Sequence, residues 1–196
     1  MPWSRDHKRA TRARIVEAAS PALRSRGLAG VGVADVMKAA GLTHGGFYAH
    51  FGSKDELASE AIDHAAAQTR TRLSEAAAKA PADGKLVAIA ETYLSRQHGE
   101  HPEWGCPIAA LGSELARGAG PAQDAIGNAV REFLAWLENE APNLPRAERR
   151  RRAAGALATM VGAITVARAL GRGDEAGEYL SQVRRFLRAA LAARGK

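Results

Sequence analysis

The 196-residue chain has a single cysteine, Cys106, so no disulfide can form within it. Aromatic residues make up only 5% of the chain, and small aliphatic side chains must therefore fill much of any core. No uninterrupted run of 18 apolar residues is present, and the charged N-terminus has no apolar signal-peptide core. These absences lead us to expect a soluble cytoplasmic protein without a membrane-spanning segment.

Alternating β-branched residues, which are typical of strands, are nearly absent as well. Alanine, the strongest helix former, is abundant, and apolar residues recur at helical spacing. The sequence therefore predicts an all-α protein of about nine helices, with a kink at Pro21 and a loop over residues 99–105. The predicted helices are 6–26, 33–40, 43–50, 53–79, a fifth around 86–94, 106–117, a seventh from Pro121, 145–170 and 174–194.

Groups of residues that are typical of metal, nucleotide or catalytic sites are also missing. No His, Cys and Asp cluster has the spacing of metal ligands, no glycine-rich loop follows a strand, and no nucleophile–base pair stands out. His98 and His101 lie near Glu100 and Glu103, where surface histidines in a loop are a better interpretation than a metal site. We predict no metal, no cofactor and no enzymatic activity; a small all-α hydrolase or lyase that uses a histidine with an acid is the alternative.

Positive charge is concentrated near the N-terminus. Residues 1–55 carry nine Lys or Arg and four Asp or Glu, which gives +5 out of the net +7 of the whole chain. A basic module suits a polyanion such as DNA, because neutralising phosphates releases counterions and raises affinity. A solvated basic surface in an arginine-rich protein is the alternative.

The most informative stretch of the chain surrounds Gly41. Two short helices joined by a tight glycine turn have the size of a helix-turn-helix, whose second helix enters the major groove with its N-terminal residues nearest the bases. Thr43 can cap that helix and offer its hydroxyl, and His44 can donate to a base edge. Gly45 and Gly46 each cost about 1 kcal/mol in a helix relative to alanine, which favours close approach to DNA, with close helix packing as the alternative.

Five further residues of this stretch are assigned either to core packing or to contacts with DNA phosphates. Phe47 and Phe51 are four residues apart and share a helix face, so we assign both to the core. Tyr48 and His50 present polar tips suited to phosphate contacts. Lys54 lies in the first turn of the fourth predicted helix, where backbone N–H groups also attract anions, and it is a candidate phosphate clamp. A solvated surface lysine is the alternative.

Three segments carry a specific likeness: Thr11–Ala19, Val33–Val36 and Ala40–Leu57, the last with the pattern Gly-x-x-x-Gly-Gly-Phe-Tyr-x-His-Phe-x-Ser-Lys. Together they resemble the DNA-binding domain of the TetR/AcrR family of bacterial repressors over about residues 8–60. Two positions depart from the family pattern. Pro21 falls where the family continues its first helix, and Gly32 stands where a Thr or Ser commonly caps the second.

The resemblance implies a homodimer with two domains in each chain. Residues 1–55 would form a three-helix helix-turn-helix domain, and residues 56–196 a helical domain that binds a ligand and dimerises. It also implies that Tyr48, His50 and Lys54 approach the backbone of operator DNA.

An effector pocket in the C-terminal domain is a further implication of the resemblance. Its lining candidates, each of which is also a candidate for the core, are Tyr93, Trp104, Leu111, Leu115, Phe133, Trp136 and Met160. A mainly apolar pocket would take an apolar or aromatic effector. Cys106, which begins a predicted helix, is another candidate and could sense electrophiles or oxidants; a small buried core residue is the alternative.

Helices 146–170 and 175–194 are suited to pairing with a second copy. The first carries small residues that allow close approach, and the second carries a stripe of Leu and Val with Phe186. A four-helix bundle between two copies would place their recognition helices one turn apart on a palindromic operator. We interpret Arg149–Arg152 as a solvated helix start, with a second DNA patch as the alternative.

The sequence therefore predicts a ligand-responsive transcriptional repressor that effector binding releases from its operator. A constitutive DNA-binding protein without a ligand is the other interpretation. A fully packed C-terminal core favours that second interpretation, and a well-formed cavity speaks against it.

Overall fold

The computed structural model describes residues 5–192, and every regular element in that range is a helix. The all-α prediction is confirmed. The α-helices are α1 (Arg5–Arg26), α2 (Val33–Ala39), α3 (Lys54–Ala78), α4 (Lys85–Tyr93), α5 (Arg96–Glu100), α6 (Pro107–Leu115), α7 (Pro121–Asn139), α8 (Arg146–Leu170) and α9 (Asp174–Ala192). Two 3-10 helices cover His44–Ala49 and Pro102–Trp104. Residues 193–194 of the last predicted helix lie outside the described residues.

The structure differs from the predicted elements at two places. α1 continues through Pro21 without a break, although proline cannot donate the backbone hydrogen bond at its own position. The predicted loop 99–105 is largely helical, since it contains the end of α5 and the Pro102–Trp104 helix. α5 begins here because the Ser95 side chain caps it, accepting a hydrogen bond from the His98 N–H.

His98 is not the surface histidine that the sequence analysis expected. Its side chain is only 5% exposed and packs edge-on against Tyr93, with 4.4 Å between the ring centroids. The His98 Nδ1 lies 2.7 Å from the main-chain carbonyl oxygen of Tyr93. The helical conformation of α5 turns this ring inward, which a loop assignment could not reveal.

The described residues pack as two compact units, with the division falling within α3 and within α7. The first unit comprises residues 5–67 and 102–129, and the second comprises 68–101 and 130–192. The predicted boundary at residue 55 is placed between two expected functions, and it does not coincide with the division between the packing units. It stays a prediction.

The first unit is built around α1. Ile15 and Leu23 of α1 are buried together with Val36, Met37 and Ile62 from α2 and α3. α1 also packs against α6 and the Pro102–Trp104 helix. Two polar connections complete this packing: the buried Arg24 donates to the Gly105 carbonyl at 2.9 Å, and Glu114 accepts hydrogen bonds from the main-chain N–H groups of Leu28 and Ala29.

The second unit is centred on the pairing of α8 with α9, against which α4 and α5 also pack. Buried side chains of α8 include Leu157, Met160 and Ile164, and α9 contributes Leu180 and Leu187.

α8 is long and apolar enough to cross a membrane by length and composition alone. Arg168 interrupts its apolar stretch, so α8 does not contain an uninterrupted run of 18 apolar residues. One such helix is weak evidence for a membrane, since the core helices of globular proteins share the property. Seven of its residues are buried within the protein.

Candidate nucleic-acid interface

The turn after α2 fixes where the next helix begins. Gly41 has φ +69°, a left-handed conformation that glycine adopts without the steric cost of a Cβ. Its N–H donates to the Lys38 carbonyl at 3.0 Å, and the Leu42 N–H donates to the Met37 carbonyl at 2.8 Å. These two bonds form a Schellman motif, which ends α2 and reverses the chain. Arg14 of α1 donates to the Ala40 carbonyl at 2.5 Å and holds the turn in place.

The second helix of the motif, His44–Ala49, is a 3-10 helix rather than an α-helix. Thr43 occupies its N-cap position with an extended backbone, as the sequence predicts, but its side chain makes no capping hydrogen bond. The Thr43 main-chain carbonyl instead accepts from the Gly46 N–H at 3.1 Å. The Thr43 hydroxyl is therefore exposed at the start of the helix, next to the exposed His44 side chain.

Two phenylalanines anchor this helix, as the sequence analysis assigns them. Phe47 and Phe51 are each 1% exposed, and their rings stack with centroids 5.6 Å apart. The neighbouring Tyr48 is 71% exposed, with its ring edge-on to Phe47. An exposed tyrosine is thus carried on a helix whose opposite side is fixed in the core.

Neither glycine of the 3-10 helix is required by packing within the protein. A Cβ added to Gly45 would meet nothing within 4 Å among residues 5–192, apart from its immediate neighbours. A Cβ on Gly46 would make ordinary van der Waals contact with Met37 Cε at 3.6 Å. Neither residue has a positive φ. The internal-packing alternative for Gly46 therefore has no support in the described structure.

Arg12 of α1 connects the end of this helix to α3. Its guanidinium lies over the Phe51 ring at 4.0 Å from the centroid and donates to the main-chain carbonyl of His50. The same group donates to Glu60 at 3.0 and 3.1 Å and to Glu56 at 2.6 Å. Hydrogen bonds from Arg12, and then from the Gly52 N–H, hold the pKa of Glu56 below its ordinary value.

His50 follows the 3-10 helix as its C-cap residue, and its ring is half-buried. The Nδ1 atom is buried and has no hydrogen-bond partner among the described residues. Burial lowers the pKa of His50, and the positive charges of Lys8, Arg12 and His7 lower it further. Both effects favour the neutral imidazole over the charged one.

Lys54 is the first residue of α3, and it is half-buried. The Ser53 side chain accepts from the Glu56 N–H at 3.0 Å, which is half of the capping box that the sequence pattern predicts. The Glu56 carboxylate accepts from Gly52 N–H at 2.8 Å rather than from Ser53. Asp55 accepts from the Ala122 N–H, so both neighbouring carboxylates are engaged while Lys54 makes no ion pair within residues 5–192.

A groove of about 490 Å³ runs between α1 and the 3-10 helix. It is lined by Lys8, Thr11, Met37, Leu42, Thr43, Gly46, Ala49 and His50. Three of the seven predicted DNA-contact residues thus share one concave surface with Lys8. The remaining four, His44, Gly45, Tyr48 and Lys54, lie outside this groove.

Comparison with known proteins identifies this arrangement. The model of the DNA-binding region of the family described as bacterial regulatory proteins, tetR family, matches residues 15–61. Over 60 residues the chain is 40% identical to the HTH-type transcriptional regulator TtgR of Pseudomonas putida. That match spans 31% of this chain and only 29% of TtgR.

Solved structures extend the likeness to the whole fold. A TetR transcriptional regulator from Chloroflexus aurantiacus J-10-FL superposes with a TM-score of 0.81 and 27% identity, covering 96% of this chain and 98% of that one. Residues 15–61 thus match the tetR family, and the chain as a whole shares the fold of a TetR regulator. FadR from Bacillus subtilis, in complex with stearoyl-CoA, is similar in fold, with a TM-score of 0.69 and 17% identity over 93% of this chain and 99% of FadR.

Three side chains that position or surround the motif, Lys8, Arg12 and Arg14, are absent from the predicted site. All three belong to the basic excess of residues 1–55, and Arg12 and Arg14 also fall in the segment Thr11–Ala19. Their spacing on α1 is a weak signal, because the backbone carbonyls and carboxylates that they meet lie 26 to 48 residues away. Only the packed structure brings these groups together.

The predicted pocket residues are divided between the two units. Trp104, Cys106, Leu111 and Leu115 belong to the first unit, whereas Tyr93, Phe133, Trp136 and Met160 belong to the second. In the second unit Phe133 lies edge-on to both Tyr93 and Trp136, at 6.3 and 5.3 Å. Trp104 is 59% exposed, and Trp136 is half-buried. The remaining six are buried, so their role in a pocket stays a prediction.

Cys106 occupies the position before α6, which begins at Pro107, rather than the first turn of the helix. Its side chain is 1% exposed. This burial favours the interpretation of Cys106 as a small core residue over that of a reagent-accessible sensor.

Three of the four arginines in the cluster Arg149–Arg152 form ion pairs within the second unit. Arg151 and Arg152 both pair with Glu148, at 2.6 Å each, and Arg150 lies 3.8 Å from Glu138. These pairings agree with a helix start that is stabilised locally rather than with a basic patch held ready for a polyanion.

Proposed function

We propose that this protein is a DNA-binding transcriptional regulator that reads its operator with the His44–Ala49 helix. The observation that carries the proposal is the contrast within this helix. Phe47 fixes it in the core, while His44, Gly45 and Tyr48 are exposed. A helix with this arrangement in a basic setting suits the major groove.

The proposed roles of the individual residues follow their positions. Thr43 and His44, at the exposed start of the helix, contact base edges. Gly45 and Gly46 allow the backbone to approach the DNA closely, because no Cβ stands between them and a partner. The phosphate contacts fall to Tyr48, His50 and Lys54, and Lys54 also benefits from the N-terminus of α3.

The proposed active form is a homodimer that pairs through α8 and α9. Phe186 is 67% exposed, and Val166 and Leu170 are exposed as well, although all three are large and apolar. Phe186 and Val166 line a groove of about 490 Å³ between these two helices. A second copy would cover this apolar surface and present two reading helices to a palindromic operator.

A small-molecule effector is the proposed signal for release. An effector that binds one conformation of the dimer better than another shifts the population and thereby the operator affinity. The fold of FadR, which holds stearoyl-CoA, supports the capacity of such a helical unit to take an amphipathic molecule. Repression follows if the effector-free form has the higher affinity. The constitutive alternative loses support because the second unit contains a cavity.

Salt-dependent binding to the DNA upstream of the protein's own gene tests this function. Fluorescence anisotropy would compare that DNA with a random duplex of equal length at several salt concentrations. We expect a preference on the order of a thousandfold and an affinity that falls as salt rises. Equal affinity for both duplexes at every salt concentration would rule the proposed function out.

A further inference from the structure

The second unit contains a cavity of about 660 Å³ that is separate from every predicted pocket residue. Its wall is formed by the start of α4, the segment after α7, one side chain of α8 and the end of α9. Small-molecule sites typically have volumes of about 300 to 1,000 Å³. The cavity is therefore large enough for a ligand of two or three fused or linked rings.

The interior of this cavity is mainly apolar. Leu86, Val87 and Ala88 line it from α4, Leu144 from the segment before α8, and Leu191 from α9. Val87, Ala88 and Leu144 keep part of their surface accessible, unlike the core of the same unit. A bound apolar molecule would remove this surface from water, which is favourable in proportion to the apolar area covered.

Four of the five charged side chains that line the cavity are engaged in ion pairs. Arg188 of α9 donates from its Nε to Glu91 of α4 at 2.7 Å. Lys85, the first residue of α4, lies 3.1 Å from Glu140. These two ion pairs join different elements of the wall, so they brace it as well as neutralise it.

Arg152 is the remaining cation of the wall, and it is engaged as well. It pairs with Glu148 at 2.6 Å and donates to the main-chain carbonyl of Leu191. The fifth charged residue, Asp83, is exposed to water, where pairing with a cationic ligand would contribute little. A charged ligand would therefore have to displace an existing partner or give up its hydration without compensation, and both are unfavourable.

We propose that this cavity is a binding site for an uncharged, mainly apolar or aromatic small molecule. The inference deepens the proposed function by assigning a site and a ligand class to its effector. Only the regulatory role of the ligand rests on that function. Binding itself follows from the apolar wall and the compensated charges.

Two fluorescent probes with the same ring system test the ligand class. N-phenyl-1-naphthylamine is uncharged, and 8-anilino-1-naphthalenesulfonate adds one sulfonate to it. Titrated into the full-length protein without DNA, the uncharged probe is expected to saturate one site per chain and to bind on the order of tenfold more tightly than the sulfonate. Equal or tighter binding of the sulfonate overturns the proposed class.

A matched pair of substitutions tests the location. Ala88→Phe fills the cavity, whereas Ala135→Phe makes the same change at an exposed position of α7 in the same unit. Ala88→Phe is expected to weaken binding of the uncharged probe by about tenfold or more, and Ala135→Phe to leave it unchanged. Unchanged binding in a folded Ala88→Phe protein, judged by its circular dichroism, overturns the location.

A gain of binding provides a test that does not depend on Ala88→Phe folding. Glu91→Gln removes the partner of Arg188 and leaves a cation at the cavity wall. Affinity for the sulfonate probe is expected to rise by roughly tenfold, while the uncharged probe binds as before. A sulfonate affinity that stays at the wild-type value overturns the proposal. Because these titrations contain no DNA, their failure is distinguishable from a failure of operator binding.

Discussion

Arg12 donates a hydrogen bond from its guanidinium to the main-chain carbonyl of His50, at the end of the 3-10 helix. The same side chain covers the Phe51 ring and pairs with Glu56 and Glu60 of α3. One residue of α1 therefore sets the position of the reading helix relative to α3. Arg12 would act through this helix without touching DNA.

We predict that Arg12→Ala weakens operator binding without changing its salt dependence. The slope of log affinity against log salt counts phosphate contacts, at roughly 0.9 per contact for duplex DNA. Lys54→Ala, the comparison variant, is expected to reduce this slope by about 1 and to weaken binding to all sequences alike. Anisotropy titrations at four salt concentrations give both quantities. An equal loss of slope in the two variants would instead make Arg12 a phosphate ligand.

Gly45→Ala is predicted to stabilise the free protein and to weaken its binding to DNA. The added Cβ meets nothing within 4 Å, and the glycine has no positive φ, so the free protein should gain about 0.4–1 kcal/mol through reduced freedom of the unfolded chain. Operator affinity should fall, since the methyl group would stand at the DNA surface. Gly112→Ala in α6 is the control. The Cβ added there would make ordinary van der Waals contact with Ile108, and Gly112 lies outside the motif. Unfolding midpoints and anisotropy are the measurements; undiminished operator affinity in Gly45→Ala would contradict close approach.

His50 should make the stability of the protein depend on pH. Because its pKa is lowered from an ordinary value of 6.5, the unfolded chain binds the proton more readily than the folded one. The stability that the neutral His50 contributes is fully present above pH 6.5. It declines as the pH falls from 6.5 towards the lower pKa that His50 has in the folded protein. His50→Gln should remove this decline from thermal melts recorded between pH 7.5 and 5.5. His44→Gln controls for the loss of an exposed imidazole, and identical profiles for the two variants would refute the assignment.

Phe186→Glu is expected to convert the proposed dimer into a monomer. The substitution places a charge on the largest exposed apolar side chain of α9, so desolvating it in an interface becomes costly. Affinity for a full palindrome should fall on the order of a hundredfold, whereas affinity for a half-site should change little. Sedimentation velocity and anisotropy give the two readouts, with Ala135→Glu on α7 as the control. A dimer that persists in Phe186→Glu would move the interface elsewhere.

The Cys106 thiol is predicted to be unreactive in the folded protein. Its side chain is 1% exposed, and thiol reagents require access to the sulfur. A colorimetric disulfide reagent should modify it only after denaturant is added, and diamide should leave operator binding unchanged. Rapid modification of the native protein with loss of DNA binding would restore the sensor hypothesis.

The parts of the fold that follow local rules could be predicted from the sequence. Gly41 marks the end of α2 because only a residue that tolerates a positive φ suits a Schellman turn, and the spacing of Phe47 and Phe51 identifies the buried face of the next helix. Both features depend on residues within one or two turns of each other. The identity of the family rests on the same stretch.

Long-range features could not be predicted in this way. The role of Arg12 depends on His50 and Glu60, which lie 38 and 48 residues away. The inward turn of His98 depends on its packing against Tyr93 within α5, whose glycine and charged residues are typical of a loop. The cavity is lined by residues such as Val87 and Leu144 that nothing in the sequence distinguishes from core residues. The eight predicted pocket residues, of which four are aromatic, do not line it.

The exposure of one side of the 3-10 helix has a consequence for how such regulators diverge. Thr43 and His44 are exposed, and neither side chain forms a hydrogen bond or ion pair with the other described residues. Substitutions at these two positions should therefore alter the recognised base sequence at little cost to folding. Substitutions of Arg12, Gly41 or Phe47 should instead disturb the folding of the motif. The scaffold and the specificity of the protein can consequently evolve at different rates, and new operators can be reached by changing a few residues on an unchanged frame.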